Sequence, residues 1–232
     1  MKLYSPKISF CIMLLAASFF SYAGGLTLGA TRLIYPAGNR EATVPLSNGS
    51  ENTPYLIQSW VSDLEQKTED IPFITTPPVF KLLQNKSTVV RVVNLPDAAN
   101  ALPQDRESVF LLNVRAIPAV EKQVNPTRMT VSTQNIIKLI YRPQGLTARA
   151  AGSVWDKQQI SGGQYYITVA NPTPYVVTLT RLKINDESID KPGLVMPYSE
   201  KKIETKIKTP RSVTFSIIDD YGGLSPAKSI NI

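Results

Sequence analysis

The sequence contains no histidine and a single cysteine, Cys11, in 232 residues. Without His, the Ser-His-Asp and Cys-His triads, His-ligated zinc and haem sites, and the usual general base of neutral-pH chemistry are excluded. Any catalysis would have to rest on carboxylates, Lys, Tyr or Ser. Long apolar runs are almost as scarce. The run from Ile8 to Phe20 follows Lys2 and Lys7 and ends at Ser21-Tyr22-Ala23. It reads as a secretory leader with small residues at its cleavage site, and it is shorter than the ~20 apolar residues that span a bilayer. An uncleaved N-terminal anchor is the alternative reading. Cleavage near Ala23 would leave a mature chain beginning at Gly24 and would remove Cys11. The mature protein is therefore expected to hold its fold by core burial, with no disulfide, no thiol for a metal and no cofactor. Basic residues outnumber acidic ones, 25 to 18, for a net charge of +7, or about +5 once the leader is gone. They are dispersed, with no run longer than Lys201-Lys202, so neither a nucleic-acid groove nor insertion into a membrane is expected. Gly162-Gly163 and Gly222-Gly223 lack the spacing of a phosphate-binding loop and read as turn glycines.

Apolar residues make up 43% of the chain and charged residues 19%, which excludes extended disorder. After residue 24, short alternating or β-branched runs bounded by Pro, Gly and Asn recur about every ten residues, the pattern of an all-β sandwich. Strands are expected at Leu26 to Tyr35, Arg40 to Asn48, Tyr55 to Ser62, Ile71 to Thr75, Val79 to Leu83, Ser87 to Asn94, Glu107 to Ile117 and Arg128 to Tyr141. These fill a first domain, residues 24–141. Arg142-Pro143-Gln144-Gly145-Leu146 then punctuates the chain and reads as a linker. A second domain, 147–232, follows, with strands at Ser153 to Gln158, Gln164 to Ala170, Val176 to Ile184, Leu194 to Met196, Lys201 to Lys206 and Arg211 to Asp219, and one more from Ala227 to Ile232. Between two of them, Asn171-Pro172-Thr173-Pro174 is a turn fixed by its prolines.

Four segments are more specific. They are Gly29-Ala30-Thr31-Arg32-Leu33-Ile34-Tyr35-Pro36, the run from Arg106 to Pro118, Ile137-Lys138-Leu139-Ile140-Tyr141-Arg142-Pro143, and Asp219-Asp220-Tyr221-Gly222-Gly223. In this order they resemble the periplasmic pilus chaperones of the chaperone/usher pathway. The resemblance implies two tandem immunoglobulin-like β-sandwich domains set at an angle with a cleft between them. It implies a periplasmic protein that holds pilin subunits by donor-strand complementation and delivers them to an outer-membrane usher. It also implies a role for each of eight residues. Arg32 and Lys138 would grip the C-terminal carboxylate of a subunit, Arg as a planar fork and Lys as a mobile point charge. Met129, Val131 and Thr133 would face the subunit's groove from the last strand of the first domain. Thr133 departs from the bulky aliphatic residue expected there, which implies a shallower third contact and a weaker hold. Glu107, Arg142 and Asp220 would form a charged cluster fixing the domains to each other. The short segment from Ala119 to Pro126 and the lack of cysteine fit the family's short-loop subclass. A free chaperone would cap its donor strand with a second copy.

Two other readings use the same residues. A secreted β-sandwich pilin or adhesin would share the leader and the architecture. An enzyme could use Ser199-Glu200-Lys201-Lys202, whose Ser-x-x-Lys spacing sets a Lys near a Ser nucleophile, but it falls just after Pro197 rather than at the start of a helix.

Overall fold

The computed structural model describes residues 25–95, 98, 101–119, 129–148 and 158–232. The leader, the Ala119 to Pro126 segment beyond its first residue, and all but the last residue of the strand expected from Ser153 to Gln158 lie outside them. In the first domain the strands are β1 (Leu26–Leu28), β2 (Arg32–Pro36), β3 (Glu41–Asn48), β4 (Tyr55–Ser62), β5 (Phe73–Thr76), β6 (Val79–Leu82), β7 (Lys86–Asn94), β8 (Ser108–Pro118) and β9 (Thr133–Arg142). They form a four-stranded sheet, β1-β3-β7-β5, and a five-stranded sheet, β2-β9-β8-β4-β6. Strict alternation explains the pairing: in β3, Ala42, Val44 and Leu46 turn inward while Glu41, Thr43 and Pro45 face water, as a period of two requires. Between the sheets lies an aromatic cluster in which Phe73 meets Tyr35 at 5.2 Å and Phe110 at 5.1 Å between ring centroids.

The second domain contains β10 (Gln159–Gly163), β11 (Tyr166–Asn171), β12 (Val177–Ile184), β13 (Glu187–Ser188), β14 (Gly193–Val195), β15 (Ser199–Glu204), β16 (Ser212–Ile217) and β17 (Lys228–Asn231). One sheet is β10-β11-β15; the other is β13-β12-β16-β17 with β14 also on β12. Its core is aliphatic around Phe215, with Ile167, Leu182 and Ile184 fully enclosed. The architecture is thus two immunoglobulin-like sandwiches in tandem, each with its own core.

Four sequence expectations need correction. The strand expected from Leu26 to Tyr35 is two strands in different sheets: β1 pairs antiparallel with β3, and β2 pairs parallel with β9. The chain crosses at Gly29-Ala30-Thr31, where Gly29 N–H donates to Pro45 O at 2.8 Å and the proline ring leaves no room for a larger residue. The strand expected from Arg128 is paired only from Thr133, opposite Ala116, although β8 runs on to Pro118; Arg128 itself lies outside the described residues. Arg142, read as the first linker residue, is the last residue of β9, opposite Pro36 of β2. Gly162 and Gly163 are strand residues, and the turn falls at Gln164-Tyr165, where Tyr165 takes φ +65°. The Tyr166 ring occupies the space where a Cβ on Gly163 would lie, so an aromatic side chain covers the glycine.

Candidate functional site

Both carriers of the expected anchor sit on adjacent parallel strands. Arg32 opens β2, Lys138 lies in the middle of β9, and the two are direct register partners. Burial holds the Arg32 guanidinium below its usual range, against the pull of Asp220, Asp219 and Glu107. Lys138 is also held below the usual lysine range, first by burial and then by the charge of Arg32 beside it. Two cations held this close repel each other, and among the described residues neither has an ion-pair partner. Arg32 Nη1 donates to Ile218 O of the second domain at 3.1 Å, while its buried Nε has no acceptor among the described residues. A partly desolvated cation pair that forms no ion pair among the described residues can receive an anion, and a carboxylate would relieve both the repulsion and the idle donor.

A second group of charges is satisfied within the protein. Glu107, at the start of β8, is 3% exposed and Arg142 5%. Arg142 Nε donates to Glu107 Oε1 at 2.7 Å, and Nη1 and Nη2 donate to the two oxygens of Asp220 at 2.7 and 2.8 Å. Glu107 Oε2 accepts the N–H of Val176 at 2.7 Å, and the Glu107 N–H donates to Pro174 O at 2.9 Å. Arg142 is thus bonded through all three of its guanidinium nitrogens to carboxylates from both domains. Burial alone would lower its guanidinium, but Asp220 and Glu107 outweigh that and hold it above the usual arginine range. Burial raises the Glu107 carboxyl above its usual range despite Arg142 and the Val176 N–H.

Several supporting residues were not singled out from sequence. Tyr175 lies under the Arg142 guanidinium at 5.5 Å, and its hydroxyl accepts the Thr147 N–H at 3.0 Å. Asn171 Nδ2 donates to the carbonyls of Tyr175 and Met196, and its Oδ1 accepts from Thr173, which shapes the turn presenting Pro174. Asp219 Oδ1 accepts the N–H groups of Tyr221 and Gly223 and so builds the turn that carries Asp220. In that turn Gly222 takes φ +86°, and a Cβ there would lie 2.6 Å from Thr31 Oγ1, so only glycine lets the two domains meet so closely. Arg106 of the first domain lies over the Tyr198 ring of the second at 5.3 Å. The sequence signals for these were the Asp219-to-Gly223 segment, the Asn171-to-Pro174 turn and the run beginning at Arg106; contacts between domains leave no periodicity to read.

Met129 and Val131 precede β9 and are exposed, at 87% and 62%. Thr133 is the first residue of β9, exposed and opposite Ala116. These three share the odd parity of Ile137, Leu139 and Tyr141, which are buried in the first domain's own core. The Ser-x-x-Lys pattern does not assemble: on β15 residues 199 and 202 fall on opposite faces, Ser199 Oγ donates to Met196 O, and Lys202 Nζ lies over the Tyr166 ring.

Comparison with known proteins agrees with this geometry. Residues 25–147 match the pili and flagellar-assembly chaperone PapD N-terminal domain, and residues 151–229 the pili assembly chaperone PapD C-terminal domain. The chain is 35% identical over 229 residues to the chaperone protein FimC of Escherichia coli, covering 96% of this chain and 93% of that protein. It is 38% identical over 206 residues to the chaperone protein LpfB of Salmonella typhimurium, covering 87% of each. Among solved structures it superposes on the periplasmic chaperone SfaE with a TM-score of 0.73 at 32% identity, covering 90% of this chain and all of that one. A chain from the complex of the Salmonella enterica SafA pilin with the SafB chaperone gives a TM-score of 0.77 at 27% identity, covering 91% of this chain and 98% of that one. With both halves matched in order and two sandwiches clamped by one buried arginine, the chain belongs to the PapD family of pilus-assembly chaperones.

Proposed function

We propose that this chaperone works in the periplasm, after loss of a leader near Ala23, where it folds and holds pilin subunits and passes them to an outer-membrane usher. In this reading Arg32 and Lys138 bind the C-terminal carboxylate of the subunit. Residues 129–133 extend β9 upstream and lie along the subunit as its missing strand, with Met129, Val131 and Thr133 filling the groove. The observation that carries the reading is the pairing of Arg32 with Lys138, two partly desolvated cations that form no ion pair among the described residues, beside the exposed Met129 and Val131 upstream of β9. The anchor sets register: a one-residue slip would turn every donor side chain away from the groove. Burying Met129 and Val131 would contribute about 1.5 to 3 kcal/mol each before ordering costs. Thr133 contributes less because its hydroxyl needs a partner. When no subunit is bound, a second copy would cover the same apolar residues. Glu107, Arg142 and Asp220 act structurally, holding the cleft's walls at a fixed angle. The alternative of a pilin or adhesin is not favoured, since both halves match chaperone domains. Binding energy alone drives the work, and release follows when another subunit's strand replaces residues 129–133.

The test is co-purification of a co-expressed subunit with the wild type and with Arg32→Ala/Lys138→Ala, folding being checked by circular dichroism. The wild type should carry one subunit per chaperone and the folded double variant none. Equal recovery with both would overturn the anchor, and no recovery with either would overturn the assignment to pilin subunits.

A further inference from the structure

The outward face of the β13-β12-β16-β17 sheet carries a pocket separate from the cleft. Along β12, Thr180 to Lys183 faces only Ser216 to Thr214 of β16, one residue fewer, so β12 holds a bulge. Leu182 stays in the core at 1% exposed. Arg181 absorbs the irregularity with φ +50°, a left-handed conformation that is costly for a residue of this kind. Arg181 and Lys183, two residues apart and so on one face, line a single cavity of about 560 Å³. The bulge shifts the alternation: Val177 and Leu179 point to the core before it and Leu182 and Ile184 after it, so Arg181 and Lys183 face outward.

The cavity holds no acid: Arg181, Lys183, Thr214 and Ser216 bring donors to a lining that is otherwise largely apolar. Ser216 is 3% exposed and lies on the pocket's side of the sheet. Beside it the Thr214 hydroxyl is shared with Ser229 at 2.8 Å. The far wall, Leu224 and Pro226, comes from the segment that returns across the sheet and is fixed there by Ser225, whose N–H donates to Ile217 O and whose Oγ accepts the Ile217 N–H, both at 3.0 Å. No carboxylate lines the cavity, and neither Arg181 nor Lys183 forms an ion pair among the described residues.

We propose that this pocket binds a phosphomonoester, its phosphate held by Arg181, Lys183 and Ser216 and its organic part resting on Leu224 and Pro226. Two cations and a serine hydroxyl match a dianion with several acceptor oxygens better than a carboxylate with two. The volume exceeds that of bare phosphate and lies in the range of small-molecule sites, and the apolar wall accounts for the excess. Either a soluble organic phosphate or the phosphate headgroup of a lipid presents this chemistry.

The test is titration of the mature full-length protein with glycerol 3-phosphate, and separately with phosphatidylcholine vesicles with and without phosphatidic acid, followed by amide chemical shifts and by sedimentation with the vesicles. The comparison variant is Arg181→Asn/Lys183→Gln; Asn tolerates the left-handed backbone, so the bulge survives. Saturable shifts confined to the bulge, Thr214 to Ser216 and Leu224 to Pro226, weakened about tenfold or more in the variant, would support the site. Binding of glycerol 3-phosphate identifies a soluble ligand, and sedimentation only with phosphatidic acid identifies a headgroup. No saturable response to either probe, or an undiminished response in a variant of unchanged thermal stability, would overturn the proposal.

Discussion

Replacing Glu107 by alanine tests whether the cluster around Arg142 is what joins the two domains. The substitution removes the acceptor of two 2.7 Å hydrogen bonds, from Arg142 Nε and from Val176 N–H. It leaves an unpaired amide and one bare edge of a guanidinium that is 5% exposed. Breaking a buried ion pair by deleting one partner costs about 3 to 5 kcal/mol. Here Arg142 keeps both bonds to Asp220, so the low end, about 3 kcal/mol, is expected. That loss falls on the junction, since each domain has its own core. Calorimetry should therefore show one cooperative transition in the wild type separating into two in Glu107→Ala, and solution scattering should show a larger maximum dimension. In Glu107→Leu/Arg142→Met no buried charge is stranded, so the damage should be smaller than in Glu107→Ala alone. A Glu107→Ala protein that unfolds in a single transition, within about 0.5 kcal/mol of wild type, would refute the claim that this cluster sets the junction.

Thr133→Ile should tighten subunit binding by about 1 to 2 kcal/mol and slow transfer to a competing donor peptide, measured by strand-exchange fluorescence; an unchanged exchange rate would show that the third groove contact is not made. Because burial and Arg32 hold Lys138 below the ordinary lysine value of 10.5, it loses its charge earlier as pH rises. A bound carboxylate favours the charged form, so affinity for a peptide ending in the subunit's C-terminus should be level below that depressed value and fall as pH climbs through it. Lys138→Arg should extend the level region to higher pH in titration calorimetry, and a wild-type profile that stays flat past pH 10.5 would contradict the role given to Lys138.

Alternation made most strands legible. Ala42, Val44 and Leu46, or Val213, Phe215 and Ile217, announce both the strand and its buried face. Failure came where one strand's run of good β residues belongs to two sheets, as at Leu26 to Tyr35: propensity does not record which neighbour each part pairs with. Residues 129–132 have strand-like composition but make no ladder pair among the described residues, so composition overstated the length of the paired strand. The cleft charges were legible only through the family resemblance. A lone Arg or Lys in a β-rich sequence is most often a solvated charge, and what distinguishes Arg32 is a carbonyl 186 residues away. Tyr175 was illegible for the same reason, since only tertiary structure brings Arg142 and Thr147 near it; Asp219, whose partners Tyr221 and Gly223 are local, was legible within the Asp219-to-Gly223 segment.

That bond between Arg32 and Ile218 also bears on the order of assembly. A chain that enters a compartment from its N-terminal end brings Arg32 in early, Lys138 much later, and the Ile218 carbonyl and Asp220 near the end. Domain one can complete β2 against β9 once residue 142 has arrived, but Arg32 has its carbonyl acceptor only after the last sandwich closes. The final arrangement of Arg32 beside Lys138 is therefore completed only when both sandwiches are closed, which makes it a feature of the whole chain rather than of the first domain.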